Sequence, residues 1–113
     1  MDKPREYTEK EFRDIFLEHI WDMVEYWSTL EEKEEKDKLQ GLAFSILSML
    51  DGSNAELPRC IVAPDPNRND RAWYESRKEN FFPYNGEHNI KANVAGSLHE
   101  HFHNVGRKLG FCK

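Results

Sequence analysis

The sequence predicts an α+β fold, in which an N-terminal antiparallel helical hairpin is followed by two short strands and a short C-terminal helix. Two observations lead to this class. Apolar residues recur at helical spacing in residues 9–28, 31–51 and 98–109. Residues 57–63 and 90–95 instead have the short apolar or alternating pattern of β-strands.

Length and composition predict a single domain of residues 1–113. Charged residues make up 33% of the chain and its mean hydropathy is -0.86, yet 7 Phe, 4 Tyr and 3 Trp argue against disorder. The first residues lack the apolar segment of a signal peptide, and no apolar run is long enough to cross a membrane. Two cysteines, Cys60 and Cys112, do not make a disulfide framework. We therefore expect a cytoplasmic protein with reduced thiols.

The first two helices are predicted from their caps. Thr8 and Glu11 have the spacing of a capping box before the first helix, and Thr29 and Glu32 repeat it before the second. The second helix should end at Asp51-Gly52, because glycine readily adopts the left-handed conformation that terminates helices. The short connection between the two helices predicts antiparallel packing.

The second half of the chain is predicted to hold both strands and the last helix. Pro58 and Pro64 bound the first strand, and the second strand precedes Gly96. Ser97 and Glu100 form a third capping pattern. The buried stripe of the last helix is expected to consist of Leu98, Phe102, Val105 and Leu109.

Residues 67–89 are predicted to be a long loop, with one or two helical turns within 72–79. Arginine beside tryptophan and tyrosine is typical of protein interfaces, and also of surfaces that stack single-stranded nucleic acid. The alternative is a loop held to the domain by its own aromatic side chains. The candidate interaction residues are Trp73, Tyr74, Arg77, Phe81, Phe82 and Tyr84.

One motif could carry chemistry. His99, Glu100 and His103 match H-E-x-x-H, in which two histidines one helical turn apart bind zinc and the glutamate acts as general base. No Asp, Glu or His follows His103, so a third ligand would have to come from upstream. The upstream candidates are Asp65, Asp70, Glu75, Glu79 and His88. The alternative is that the histidines are half-buried structural residues, and that no metal or other cofactor is bound.

Charge is unevenly distributed along the chain. Residues 1–51 hold 14 acids and 7 bases, whereas residues 52–113 hold 7 acids and 9 bases, for a net charge of -5 overall. This balance lacks the basic footprint of a nucleic-acid-binding domain. The acidic half could contact a basic partner or mimic a nucleic acid, although a solvated helix face explains it as well. The acids of the mimic hypothesis are Glu31, Glu32, Glu34 and Glu35.

Several short sequences resemble a group of small uncharacterised bacterial and phage-associated proteins. They are the segment 41–52 with its Phe-Ser-Ile-Leu-x-Met-Leu-Asp-Gly text, Pro64-Asp-Pro66, Glu79-Asn80 before aromatics and Pro83, and Leu98-His-Glu100. The resemblance covers about residues 38–103. It brings no activity and no catalytic residue, and it implies that Leu98-His-Glu100 is a capping and packing element.

We therefore predict a small non-enzymatic binding protein of a bacterium or phage, of inhibitor or immunity type, that contacts a protein partner. A minimal zinc metallohydrolase is the alternative, and an acidic nucleic-acid mimic is the third hypothesis. Exposed aromatic residues would also suit a homodimer, although no sustained heptad repeat specifies one.

Overall fold

A computed structural model of the chain describes residues 4–54, 56–83 and 90–112, and this part of the chain contains helices and no strand. The helices are α1 (Glu9–Ser28), α2 (Glu35–Leu50), α3 (Asp70–Ser76) and α4 (Leu98–Lys108). Within the described residues, α2 packs against both α1 and α4, whereas α1 and α4 do not pack on each other and α3 packs on none of the three. The fold is therefore a single layer of three helices with α2 at its centre.

The first helix is confirmed at both ends. The Glu11 amide donates to Thr8 Oγ1 at 3.1 Å and the Thr8 amide donates to Glu11 Oε1 at 3.0 Å, which completes the predicted capping box. The two terminal nitrogens of the Arg5 guanidinium donate to the two oxygens of the same carboxylate, at 2.8 and 2.9 Å. These bonds satisfy amides at the start of α1 that have no partner within the helix.

Helices α1 and α2 run antiparallel, as predicted. Near the end of α1, the Trp27 indole lies directly on Gly41 and its Nε1 donates to Ser45 Oγ at 3.0 Å. About two turns earlier in α1, His19 pairs with Glu56, which lies beyond the end of α2. The indole reaches the α2 backbone because residue 41 has no side chain to block it.

His19 links α1 to the segment after α2. Its Nδ1 lies 2.9 Å from the Ile15 carbonyl oxygen and its Nε2 lies 2.9 Å from Glu56 Oε2. Both neighbours are acceptors, so both ring nitrogens must carry hydrogen for both bonds to form. The Ile15 carbonyl, followed by the Glu56 carboxylate, accordingly raises the pKa of His19 above its usual 6.5.

This raised pKa predicts a loss of stability in alkaline solution. The contribution of His19 is fully present below about pH 6.5 and disappears as the pH rises through the folded-state value. Thermal unfolding followed by circular dichroism at about pH 6 and about pH 9 should show a larger drop in Tm for the wild type than for His19→Gln. An identical drop in the two proteins would show that His19 does not titrate as described.

The second helix begins later than predicted, at Glu35 instead of residue 31. Thr29 does not cap α2: its hydroxyl donates to the Tyr26 carbonyl and its amide to the Glu25 carbonyl, so it closes α1. A Thr-x-x-Glu pattern at the end of one helix was thus misassigned to the start of the next. The predicted end is confirmed, because α2 stops at Leu50 and Gly52 has a φ of 87°.

The α+β prediction is wrong, because neither 57–63 nor 90–95 forms a strand. The two segments do lie side by side, with the Val94 amide donating to the Val62 carbonyl at 2.9 Å. The Val62 amide, however, donates to the side chain of Asn93 instead of to a backbone carbonyl. Ala92 has a φ of 58°, which turns the chain out of extended geometry. The two segments therefore share one backbone hydrogen bond and do not continue into a β-ladder.

The last helix has nearly the predicted bounds, but only the first half of its predicted buried stripe is covered. Leu98 and Phe102 are half-buried, as is His103, whereas Val105 is 51% exposed and Leu109 is 62% exposed. The half of the stripe toward the end of α4 is thus left exposed. Among the described residues, Met49 and Leu57 are the only buried hydrophobic side chains.

None of the described helices has the length and apolar character that crossing a membrane requires.

Candidate functional site

The start of α4 is held by a carboxylate from the end of α2. Asp51 Oδ1 accepts from the Gly96 amide at 2.5 Å, and Oδ2 accepts from the His99 amide at 2.7 Å. Ser97 occupies the N-cap position, but its hydroxyl makes no capping bond within the described chain. Asp51, at the end of α2, therefore accepts hydrogen bonds from amides at the start of α4. The predicted capping box of Ser97 and Glu100 was expected to satisfy such amides.

The same carboxylate also binds the first histidine of the H-E-x-x-H motif. His99 Nδ1 lies 2.5 Å from Asp51 Oδ2, and the Asp51 side chain is fully shielded from solvent. Burial by itself would raise the pKa of Asp51, but the bonds from His99 and Gly96 outweigh it and lower the pKa to about 2. An ionised carboxylate only accepts, so Nδ1 must carry the hydrogen, and Nε2 is the ring nitrogen left for another partner.

Both histidines of the motif pack on one aromatic ring. The Phe44 ring of α2 lies edge-on to His99 at a centroid distance of 5.7 Å and stacks on His103 at 5.4 Å. Residues one helical turn apart share a face, so the spacing that could serve zinc here makes the contact between α2 and α4. Glu100 points away from this contact and is exposed.

A zinc ion in a protein needs at least three ligands. Within the described residues, no group of three or more His, Cys, Asp or Glu side chains is placed to hold a metal. Four upstream candidates accordingly do not join the two histidines: Asp65, Asp70, Glu75 and Glu79. The fifth, His88, lies outside the described residues.

This donor set predicts little tightly bound zinc. Tag-free protein dialysed against a weak chelator should hold well below about one zinc per chain, because two histidines without a third ligand bind weakly. Inductively coupled plasma mass spectrometry of the wild type and of His103→Ala provides the measurement. Stoichiometric zinc that is lost in His103→Ala would instead favour the metallohydrolase hypothesis.

A second candidate site lies on α3 and the residues after it. Trp73 is 52% exposed, and the Arg77 guanidinium lies over its indole at 4.7 Å from the ring centroid. Tyr74 is half-buried and meets Trp73 edge-on at 4.9 Å. Cation–π contact of this kind holds a long arginine side chain in one place on the surface.

A second arginine of α3, Arg71, also lies over an aromatic ring. Arg71 lies over the Phe81 ring at 4.8 Å while its Nε donates to Glu75 at 2.8 Å, and Phe82 is 65% exposed. We call Trp73, Tyr74, Arg77, Phe81 and Phe82 the α3 surface. Tyr84, the sixth predicted interaction residue, lies outside the described residues.

A cavity of about 350 Å³ opens beside the α3 surface. Phe81 and Phe82 form its apolar wall, and its charged lining residues are Arg68, Arg71 and Lys91. The lining thus combines aromatic rings with positive charge and contains no acidic side chain among the described residues. Such a cavity is suited to a ligand group that carries negative charge.

The acidic residues of the mimic hypothesis all lie on the surface. Glu31, Glu32 and Glu34 are exposed in the connection between α1 and α2, and Glu35 is exposed at the start of α2. Lys33 interrupts them. Their position next to a helix N-terminus agrees with the solvated-face interpretation, since negative charge is favourable there.

Sequence reasoning missed Asp51 and Phe44, the two residues that place the motif histidines. Asp51 was interpreted only as part of a helix stop. A carboxylate at a helix C-terminus is unfavourable next to the negative end of the helix dipole. That conflict was the signal that Asp51 serves a partner elsewhere in the fold.

No protein-family model matches the chain, and no curated protein or solved structure is detectably similar to it. The resemblance to bacterial and phage-associated proteins therefore stays a prediction.

Proposed function

We propose that this protein is a non-catalytic binding protein that recognises a protein partner through the α3 surface. The observation that carries the proposal is a pair of arginines stacked on aromatic rings at the surface, Arg77 on Trp73 and Arg71 on Phe81. Tryptophan, tyrosine and arginine dominate the binding energy of protein interfaces. Tryptophan and tyrosine bury large areas with few rotatable bonds, and a guanidinium stacked on an aromatic ring is held in one place before the partner binds.

The position of the α3 surface supports a binding role over a structural one. Among the described residues, α3 makes no contact with α1, α2 or α4, so its aromatic side chains do not hold the helical layer together. Trp73 and Phe82 are each more than half exposed. Large aromatic side chains in such a position are typical of interaction sites.

The neighbouring cavity indicates the chemistry of the partner. The charged residues of its lining are all basic, while the chain as a whole carries a net charge of -5; one of them, Arg71, is already paired with Glu75. An acidic side chain of the partner could enter the cavity while apolar groups cover Trp73 and Phe82. We therefore propose that the partner presents an acidic segment with apolar neighbours.

Comparative pull-downs from the native host test this proposal. A partner retained by the wild type should be lost with Trp73→Ala and with Arg77→Ala, each of which removes one half of a stacked pair. Trp21→Ala is the matched control, because Trp21 is 67% exposed on α1 and lies outside the α3 surface. The Tm of all three variants should stay close to that of the wild type.

Two results would contradict the proposal. Equal retention by Trp73→Ala and Trp21→Ala would place the interface elsewhere. A large drop in Tm for Trp73→Ala would assign Trp73 to the packing of the protein instead of its surface. Inhibitor or immunity activity stays a prediction until the partner is identified.

A further inference from the structure

The helical layer has an uncovered side. The Cα atoms extend over 52 × 51 × 18 Å, and their radius of gyration is 18.1 Å. A single domain of this length has a radius of gyration of about 13 Å. Domains normally bury the apolar face of one layer of helices against a second layer. Here α1, α2 and α4 form one layer, and the described part of the chain supplies no further helix against it.

The exposed area of the chain is larger than that of a compact protein of the same mass. The chain exposes 9673 Å². A monomeric protein of 13.4 kDa exposes about 6,500 Å². The excess of about 3,000 Å² exceeds the roughly 1,000–2,500 Å² that each subunit buries in an obligate homodimer. The chain therefore has more than enough uncovered surface for an interface with one further copy.

One groove in the layer has the character of such an interface. It encloses about 350 Å³ between α2 and α4 and is mostly apolar. We call it the α2–α4 groove; its lining includes Gln40, Phe102, Val105, Leu109, Phe111 and Cys112. Lys36 Nζ donates to the Phe111 carbonyl at 2.6 Å, which fixes the C-terminal segment at one end of the groove.

A ridge of apolar side chains runs along the edge of the α2–α4 groove. Val105, Leu109 and Phe111 line the groove on the side of α4 and the residues after it, and each is more than half exposed, so they form an apolar ridge along the edge of the groove. A surface that presents a ridge next to a groove can pair with an identical surface about a twofold axis, since each ridge then enters the opposite groove. The exposed parts of these side chains thereby become buried.

Charged side chains near the groove also favour a second copy of this chain as its occupant. On α2, Glu35 and Asp37 are the sequence neighbours of the groove residue Lys36, whereas Arg107 and Lys108 lie in the sequence between the groove residues Gly106 and Leu109. All four are exposed. A twofold-related copy can bring the basic edge of α4 near the acidic edge of α2, and this complementarity favours self-association over a uniformly charged partner.

We propose that the α2–α4 groove is the interface of a homodimer, in which α4 of each copy covers the groove of the other. This interface is separate from the α3 surface, so the proposal does not depend on the proposed function.

Sedimentation equilibrium of the full, tag-free chain tests the proposal. We expect a mass of twice 13.4 kDa for the wild type. Leu109→Glu should raise the dimer dissociation constant by roughly 100-fold, because it places a charge where the ridge is buried. Leu17→Glu is the matched control: Leu17 is 46% exposed on α1 and lies outside the groove, so this variant should remain dimeric.

A second measurement needs no substitution. Cys112 lines the groove and Cys60 does not, and both thiols are free and half-exposed. When about 90% of the chains are dimeric, alkylation of Cys112 by iodoacetamide should slow by about tenfold, while the rate at Cys60 stays the same. This comparison remains decisive if Leu109→Glu fails to fold.

Three results would overturn the proposal. The first is a wild-type mass of 13.4 kDa at every soluble concentration, which would leave the groove to another occupant. The second is equal dissociation of Leu109→Glu and Leu17→Glu. The third is a dimer in which the alkylation rate of Cys112 does not depend on concentration, because the interface would then lie elsewhere.

Discussion

Replacing Asp51 with alanine is expected to lower the free energy of unfolding by about 3–5 kcal/mol, because three hydrogen-bond donors lose a buried carboxylate acceptor. Asp51 accepts bonds from the Gly96 amide, the His99 amide and His99 Nδ1, and its side chain is shielded from solvent. Without the carboxylate, these donors lose their partner at the junction of α2 and α4. Chemical denaturation followed by circular dichroism measures the change.

Asp65→Ala is the matched control, since Asp65 is exposed and lies outside the junction of α2 and α4. We expect it to change the free energy of unfolding by no more than about 0.5 kcal/mol. If both variants were equally stable, the carboxylate of Asp51 would not be the link between the helices.

The depressed pKa of Asp51 adds a pH signature to this prediction. The carboxyl has a pKa of about 2 in the folded protein instead of the usual 3.8. Its contribution is therefore present above about pH 4 and is lost as the pH falls toward about 2. The difference in stability between wild type and Asp51→Ala should shrink over that interval, and a constant difference would contradict the assigned pKa.

Replacing Trp27 with alanine should be the second most damaging change, at about 3 kcal/mol, the lower end for loss of a large aromatic side chain because the indole is only half-buried. The indole covers Gly41 and donates to Ser45 Oγ at 3.0 Å, so it provides much of the contact between α1 and α2. Urea denaturation monitored by far-ultraviolet circular dichroism gives the measurement.

The same contact can be disturbed from its other side. A Cβ atom at position 41 would clash with the Trp27 ring, so Gly41→Ala should destabilise by about 1–3 kcal/mol. This loss runs against the helix propensity of alanine, which exceeds that of glycine by about 1 kcal/mol.

Gly106→Ala, within α4, is the comparison, because the added atom would meet the Sγ atom of Cys112, 2.9 Å away, instead of an aromatic ring packed between two helices. The Cys112 side chain has to shift to admit it, so we expect a smaller loss of stability than for Gly41→Ala. A stabilising effect of Gly41→Ala would show that the indole does not lie on α2 as described.

Local patterns of the sequence were sufficient to locate most of the helical structure. The capping box of Thr8 and Glu11 and the apolar repeat placed α1 at its observed ends. The same signals failed at Thr29, because a Thr-x-x-Glu pattern is equally available to the end of a helix, where the threonine bonds back to the preceding turn. A capping pattern thus identifies a helix boundary without stating which helix it belongs to.

The candidate sites were found by residue type, but their roles depended on distant partners. H-E-x-x-H named His99 and His103 correctly as residues of one helix face, yet only the fold shows that this face contacts Phe44 and Asp51. Composition likewise selected Trp73 and Arg77, whereas their exposure and mutual stacking required the structure.

The sequence by itself determined the positions of α1 and α4, the antiparallel hairpin and the stop at Gly52, because caps, apolar periodicity and glycine geometry act within a few residues. Only the tertiary structure decided whether residues 57–63 and 90–95 pair as strands and how much of the predicted stripe of α4 is buried. Strand pairing depends on where a distant segment places its donors, and here the Asn93 side chain takes the bond that a ladder needs. The burial of α4 depends on Asp51, which anchors the helix from 48 residues away in the chain.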